Sequence, residues 1–196
     1  MRYAQVRSMD ISNGEGIGVS LFVQGCPFNP HCTNCFNTET WDFNGGKEWT
    51  QEVKDKFMKL IDRPYIKRVS FLGGECLAEQ NLDEVLKLVK QIRISYPEKT
   101  IWLYTGYKLE LLSEEIYNGT KQIRTISHFY PIPNKNEFAE NQVKRREIIE
   151  LCNIVVDGKY IDEQKDLSLK FRGSKNQRVI YVKQSLAQNK IILYCD

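Results

Sequence analysis

Six short runs rich in β-branched and aromatic residues recur along the 196-residue chain: Val19 to Gln24, Arg68 to Leu72, Thr100 to Tyr104, Asn153 to Val156, Arg178 to Val182 and Ile191 to Tyr194. Each has the length of a strand, and their near-continuous apolar character suggests burial on both faces, as in a parallel sheet. Helical patterns lie between them. Thr50 precedes a stripe of Val53, Phe57, Leu60 and Ile61, and Asn81 is placed to cap a stripe of Leu82, Val85, Leu86, Val89 and Ile92 that must stop before Pro97. Leu109 to Tyr117, ended by Gly119, and Gln142 to Leu151 are further helix candidates. This alternation predicts an α/β fold with right-handed crossovers, and about six parallel strands favour a partial, open β/α barrel over a closed one. The length favours a single domain, 1–196. The stretch 128–141, HFYPIPNKNEFAEN, reads as a loop insertion.

Composition narrows the function classes. Hydrophobic residues at 41% and charged residues at 27% exclude a disordered tail or a membrane span. A net charge of +3 without a clustered patch gives no case for nucleic acid. The amino-terminal MRYAQVRSMD has no secretory pattern, so the expected address is cytoplasmic.

Six cysteines are present, and only Cys26, Cys32 and Cys35 are bunched, in GCPFNPHCTNCFN directly after the first apolar run. Cys76, Cys152 and Cys195 are expected to behave as small buried hydrophobes. In a reducing compartment a bunch of thiols holds a metal or a cluster more readily than it forms disulfides. Three thiolates on one loop can bind three irons of a cubane and leave the fourth open to a chelating amino acid. The same set, completed by His31 or a distant cysteine, would also suit structural zinc in a binding module without catalysis. Gly73 and Gly74 follow a strand at the end where ligands gather in parallel sheets, and permit close backbone approach. Glu75 or nearby carbonyls could accept from a ligand's ammonium group.

The run DISNGEGIGVSLFVQGC, the cysteine loop and CFNTETWDF together resemble the activating enzymes of anaerobic (class III) ribonucleotide reductase, within the radical S-adenosylmethionine superfamily. FLGGE at Phe71 to Glu75 is similar to that family's GGE turn, WLYTGY at Trp102 to Tyr107 to its TGY strand end, and VVDGKY at Val155 to Tyr160 to its VDG turn. KDLSLKFRGSKNQRVI, from Lys165 to Ile180, is similar to its carboxy-terminal run. The resemblance implies a radical-SAM type barrel and an oxidoreductase with two cofactors, a [4Fe-4S] cluster on Cys26, Cys32 and Cys35 and S-adenosyl-L-methionine. The cofactor would be reductively cleaved to place a glycyl radical on the reductase, with flavodoxin or ferredoxin as electron donor. Asn34, Cys35 and Phe36 would lie beside the adenine, Gly73, Gly74 and Glu75 at the methionyl amine, Thr105 and Gly106 at the side, and Asp157 at the cofactor hydroxyls or the partner's loop. The same cleavage chemistry could serve another glycyl radical enzyme or a small heterocycle, as in 7-carboxy-7-deazaguanine synthases.

Two features depart from the family pattern. Its usual spacing is C-x3-C-x2-C, whereas five residues separate Cys26 from Cys32 here, an addition that costs little in loop closure. Cys76 stands where proline is common, within reach of a fourth-ligand role if it faced the mouth. Asp10, Asn13, Gly14 and Gly16 form an early turn that shapes the mouth or merely reverses the chain. Lys165, Lys170, Arg172, Lys175 and Arg178 make the carboxy-terminal run basic, which suits a solvated face or the docking of an acidic partner.

Overall fold

A computed structural model describes residues 1–109 and 135–195. Its strands are β1 (Arg2–Asp10), β2 (Gly18–Val23), β3 (Lys47–Glu48), β4 (Arg68–Gly73), β5 (Thr100–Thr105), β6 (Ile154–Asp157), β7 (Arg178–Tyr181) and β8 (Leu193–Cys195). They form one open eight-stranded sheet in the order β3-β1-β2-β4-β5-β6-β7-β8. The helices are α1 (Gln51–Ile61), α2 (Glu79–Ser95), α3 (Lys135–Leu151) and α4 (Val182–Gln188).

All six predicted strands are present, but only β2, β4, β5 and β6 run parallel. The expectation of about six parallel strands is therefore corrected: β7 lies antiparallel to β6, and β8 antiparallel to β7. A parallel neighbour needs a crossover that returns the chain to the opposite end of the sheet. Between β6 and β7 there is only a loop with one short 3-10 turn, Asp162–Gln164, so the chain re-enters from the end it left. β1, whose apolar Tyr3, Ala4, Val6 and Met9 are interspersed with polar residues, is not among the predicted strands; it pairs antiparallel with β2 and with β3.

Alternation along the parallel strands divides the core. Leu21, Phe71, Leu103 and Val155 occupy one register row and pack with Leu82, Val85, Val89 and Ile92 of α2 in the main hydrophobic cluster. The opposite face carries Trp102, Ile154, Val156 and Val179 in a smaller cluster. α1 starts as expected, with Thr50 Oγ1 accepting from the Val53 amide at 3.4 Å. α2 begins two residues before Asn81, at Glu79, so Asn81 is not its cap. α3 begins at Lys135, so residues 135–141 of the predicted loop are helical, and the rest of that loop lies outside the described residues. So does the helix expected over Leu109 to Tyr117, except Leu109 itself.

The early glycine-rich turn closes the end of the sheet where β4 starts. Arg68 is fully buried there and donates to the carbonyl oxygens of Asp10 and Asn13. Gly14, at φ +125°, has no room for a Cβ, which would lie 2.5 Å from Arg68 Cδ and 2.7 Å from the Trp102 ring.

Candidate active site

At the opposite end, where the parallel strands finish, an open cavity of about 560 Å³ is walled by the cysteine loop and by the turns after β4, β5 and β6. Its floor is apolar: Phe22 and Leu72 pair across β2 and β4, Tyr104 and Val156 across β5 and β6, and all four line it.

Cys26, Cys32 and Cys35 all face this cavity. The base of their loop is fixed by backbone bonds: Gly25 donates to the Thr40 carbonyl at 2.8 Å and Cys26 to the Trp41 carbonyl at 3.0 Å. Within the loop the Cys35 amide donates to the Cys32 carbonyl at 3.3 Å. Burial pushes the Cys26 thiol up to about 11, reinforced by Glu75 and the two other thiols, and burial followed by Cys35 raises Cys32 as well. Such thiols stay protonated near neutral pH until a metal displaces the protons. Among the described residues no three His, Cys, Asp or Glu side chains converge closely enough to hold a metal ion. A cubane spreads three thiolates over three irons. The cavity has room for such a group, and three thiols on one wall are the donor set it requires.

The His31 ring stacks on Trp41 at 4.1 Å between ring centroids, and its Nε2 lies 3.3 Å from the Cys26 carbonyl oxygen. Cys76 is buried in the main hydrophobic cluster and Cys152 lies with it, as expected of small hydrophobes, whereas Cys195 is half-buried. Cys76 is therefore turned away from the cavity that the loop cysteines share.

Gly73, Gly74, Glu75, Thr105 and Gly106 are brought to the same cavity, as is Phe36, which is 58% exposed and packs edge-on against Tyr160 at 5.0 Å. A Cβ on Gly74 would collide with the Gly25 carbonyl, and one on Gly106 with the Phe28 ring. Both glycines are thus demanded by close packing around the cysteine loop. Two predicted residues are placed differently. The Asn34 side chain donates to Asp162 at 2.7 Å, and its backbone is left-handed at φ 54°. Asp157 is fully buried, pairs with Arg178 through both carboxylate oxygens, and accepts from the Leu109 amide at 2.8 Å.

Several cavity residues were not singled out from the sequence. Arg7 sits over the Phe22 ring at 4.4 Å, and Lys159 over the Phe28 ring at 4.3 Å. The β6–β7 loop adds Leu167, 81% exposed, with Leu169, Phe171 and Arg172. Phe171, at φ 62°, is seated against Trp102 and Tyr194, which holds this strap across the cavity. Of these, Arg172 is named in the basic run, Lys159 lies within VVDGKY, and Leu167, Leu169 and Phe171 lie within the Lys165–Ile180 run; Arg7 belongs to none of the motifs.

Comparison with known proteins agrees with this geometry. Residues 12–180 match the family model described as a 4Fe-4S single cluster domain. The chain is 34% identical over 185 residues to the anaerobic ribonucleoside-triphosphate reductase-activating protein of Escherichia coli (strain K12), covering 93% of this chain and 100% of that one. It is 34% identical to the protein of the same description from Vibrio cholerae over 90% of this chain and 96% of that one. The corresponding protein of Enterobacteria phage T4 is 30% identical, over 91% and 93%.

Proposed function

Because the chain belongs to the family of anaerobic ribonucleoside-triphosphate reductase-activating proteins, we propose that it generates a glycyl radical on such a reductase by reductive cleavage of S-adenosyl-L-methionine. The observation that carries this reading is the convergence of Cys26, Cys32 and Cys35 with the Gly73–Gly74 turn on one open cavity. When bound, a [4Fe-4S] cluster with an open iron and S-adenosyl-L-methionine would supply a one-electron cleavage whose 5′-deoxyadenosyl radical removes a hydrogen atom from a glycine Cα.

The chain's own residues bind, orient and shield. The three cysteines hold the cluster. Gly73 and Gly74 offer main-chain atoms at close approach, Phe36 offers a ring face beside the third cysteine, and Thr105 and Gly106 border the ligand. The apolar floor of Phe22, Leu72, Tyr104 and Val156 keeps water from the reacting centre. The cavity is open on one side, which suits a substrate that is a segment of another protein. Flavodoxin or ferredoxin is the proposed electron donor, and residues 1–196 the single domain that acts.

Anaerobic reconstitution with iron and sulfide, followed by paramagnetic resonance with the reductase, reductant and S-adenosyl-L-methionine, tests the proposal. A glycyl doublet on the reductase is expected. Its absence from a fully loaded protein overturns the partner assignment, and stoichiometric zinc without iron or sulfide in anaerobically purified protein overturns the radical chemistry.

A further inference from the structure

Glu75 is 1% exposed and every part of it is engaged in joining chain segments. Its Oε1 accepts from the Leu77 amide at 2.9 Å and from Thr105 Oγ1 at 2.8 Å, and its Oε2 accepts from the Gly106 amide at 2.8 Å. Its own amide donates to the Gly25 carbonyl at 2.7 Å. The Asn81 side chain donates at 3.0 Å both to the Glu75 carbonyl and to that of Gln24. One residue therefore ties together the residue before Cys26, the turn after β4, the turn after β5 and the first turn of α2.

We propose that Glu75 is a positioning residue: its carboxylate clamps the Thr105–Gly106 turn, and its amide the base of the cysteine loop, rather than serving as the ligand of the cofactor's ammonium group. The assignment rests on the cofactor reading given above. A carboxylate offers about four acceptor positions, and three are filled by the protein itself. An ammonium ion would have to displace a donor or share the last position, whereas Gly73 and Gly74 on the same wall present main-chain atoms with no side chain in the way. The clamp also accounts for the carboxylate in place of an amide. Glutamine at this position would turn an NH2 group toward one of the three donors, leaving a buried donor unpaired.

Glu75→Gln, Thr105→Val and the double variant decide the question in the full chain, as unloaded protein and after anaerobic reconstitution. In the unloaded protein each single change is expected to lower the unfolding temperature, and the double to lower it by less than the sum of the two, because both act on the Glu75–Thr105 contact. In the reconstituted protein each single is expected to weaken S-adenosyl-L-methionine binding about tenfold by calorimetric titration, again without adding. Non-additive loss of affinity is a result that general destabilisation would not produce. Glu75→Gln that leaves the unloaded protein's unfolding temperature unchanged, or losses of affinity that add, would overturn the clamp in favour of a direct ligand. If Glu75→Gln does not fold, normal affinity in Thr105→Val would overturn it equally. Failure of the unsubstituted, loaded protein to bind S-adenosyl-L-methionine would instead defeat the cofactor reading, and the clamp would still be decided by the unfolding of the unloaded variants.

Discussion

Arg68 Nη2 donates to the Asp10 carbonyl oxygen at 2.6 Å while lying 3.7 Å from the Asp10 carboxylate, with both side chains shut off from solvent. The pair lies at the end of the sheet where β4 starts, away from the cysteine loop, and Asn13 of the same turn reaches the cavity wall. A buried ion pair contributes little net stability when intact, but losing one partner strands the other charge. Arg68→Met is expected to destabilise the unloaded protein by about 3–5 kcal/mol in urea unfolding.

Asp10 also makes stability depend on acid. Burial pushes its carboxyl up, but hydrogen bonds from Asn13, through side chain and backbone, and from Ser12 outweigh burial and hold it down at about 2. A carboxyl depressed by folding stabilises fully above the unfolded value near 4 and loses that contribution as pH falls through about 2. The contribution lost is about 2 kcal/mol. Unfolding free energies between pH 5 and pH 2 should fall less steeply for Asp10→Asn than for the unsubstituted protein.

The cysteines should separate into two groups. Cys26→Ser, Cys32→Ser and Cys35→Ser are each expected to abolish iron and sulfide incorporation on anaerobic reconstitution. Cys76→Ala, whose side chain lies in the hydrophobic cluster away from the cavity, is expected to retain both at the unsubstituted level. Chemical assay of iron and sulfide with the visible absorption spectrum provides the check.

Gly74→Ala probes the contact between the β4 turn and the cysteine loop. The added Cβ meets the Gly25 carbonyl, which is backbone and cannot rotate aside. Overpacking of this kind costs about 1–3 kcal/mol. The variant is expected to unfold at lower denaturant and to incorporate less iron, since Gly25 immediately precedes Cys26.

The parts of this protein visible in its sequence are those whose signal is local. Strands buried on both faces announce themselves as apolar runs, and β2, β4, β5 and β6 lie close to their expected places. The direction of β7 and β8 was not legible, because an apolar run carries no information on which end the chain enters. β1 was missed because its residues are half-buried or exposed along most of its length. In the site, the cysteine spacing and the paired glycines are local patterns and led to the cavity. For Asp157 the sequence leaves cofactor hydroxyls, a partner's loop and a solvated turn open, because its partner Arg178, twenty-one residues on, becomes a neighbour only when β6 and β7 pair. For an ammonium acceptor the sequence leaves Glu75 and nearby carbonyls both open, because Thr105 and Gly106, which donate to the Glu75 carboxylate, come from another part of the chain. The Asp10–Gly16 turn was read as shaping the mouth or reversing the chain; Ser12 and Asn13 do reach the cavity wall, while Asp10, Asn13 and Gly14 cage Arg68.

The antiparallel return from β6 to β7 frees one part of the molecule from a constraint that binds the rest. A crossover must span the sheet and carry a helix of matching length, so its residue count is tied to the geometry of the core. The segment 158–177 leaves and re-enters at the same end, so insertion or deletion there shifts no strand register. The Leu167–Arg172 portion that lines the cavity can therefore change in length while the cysteine loop and the four parallel strands stay as they are.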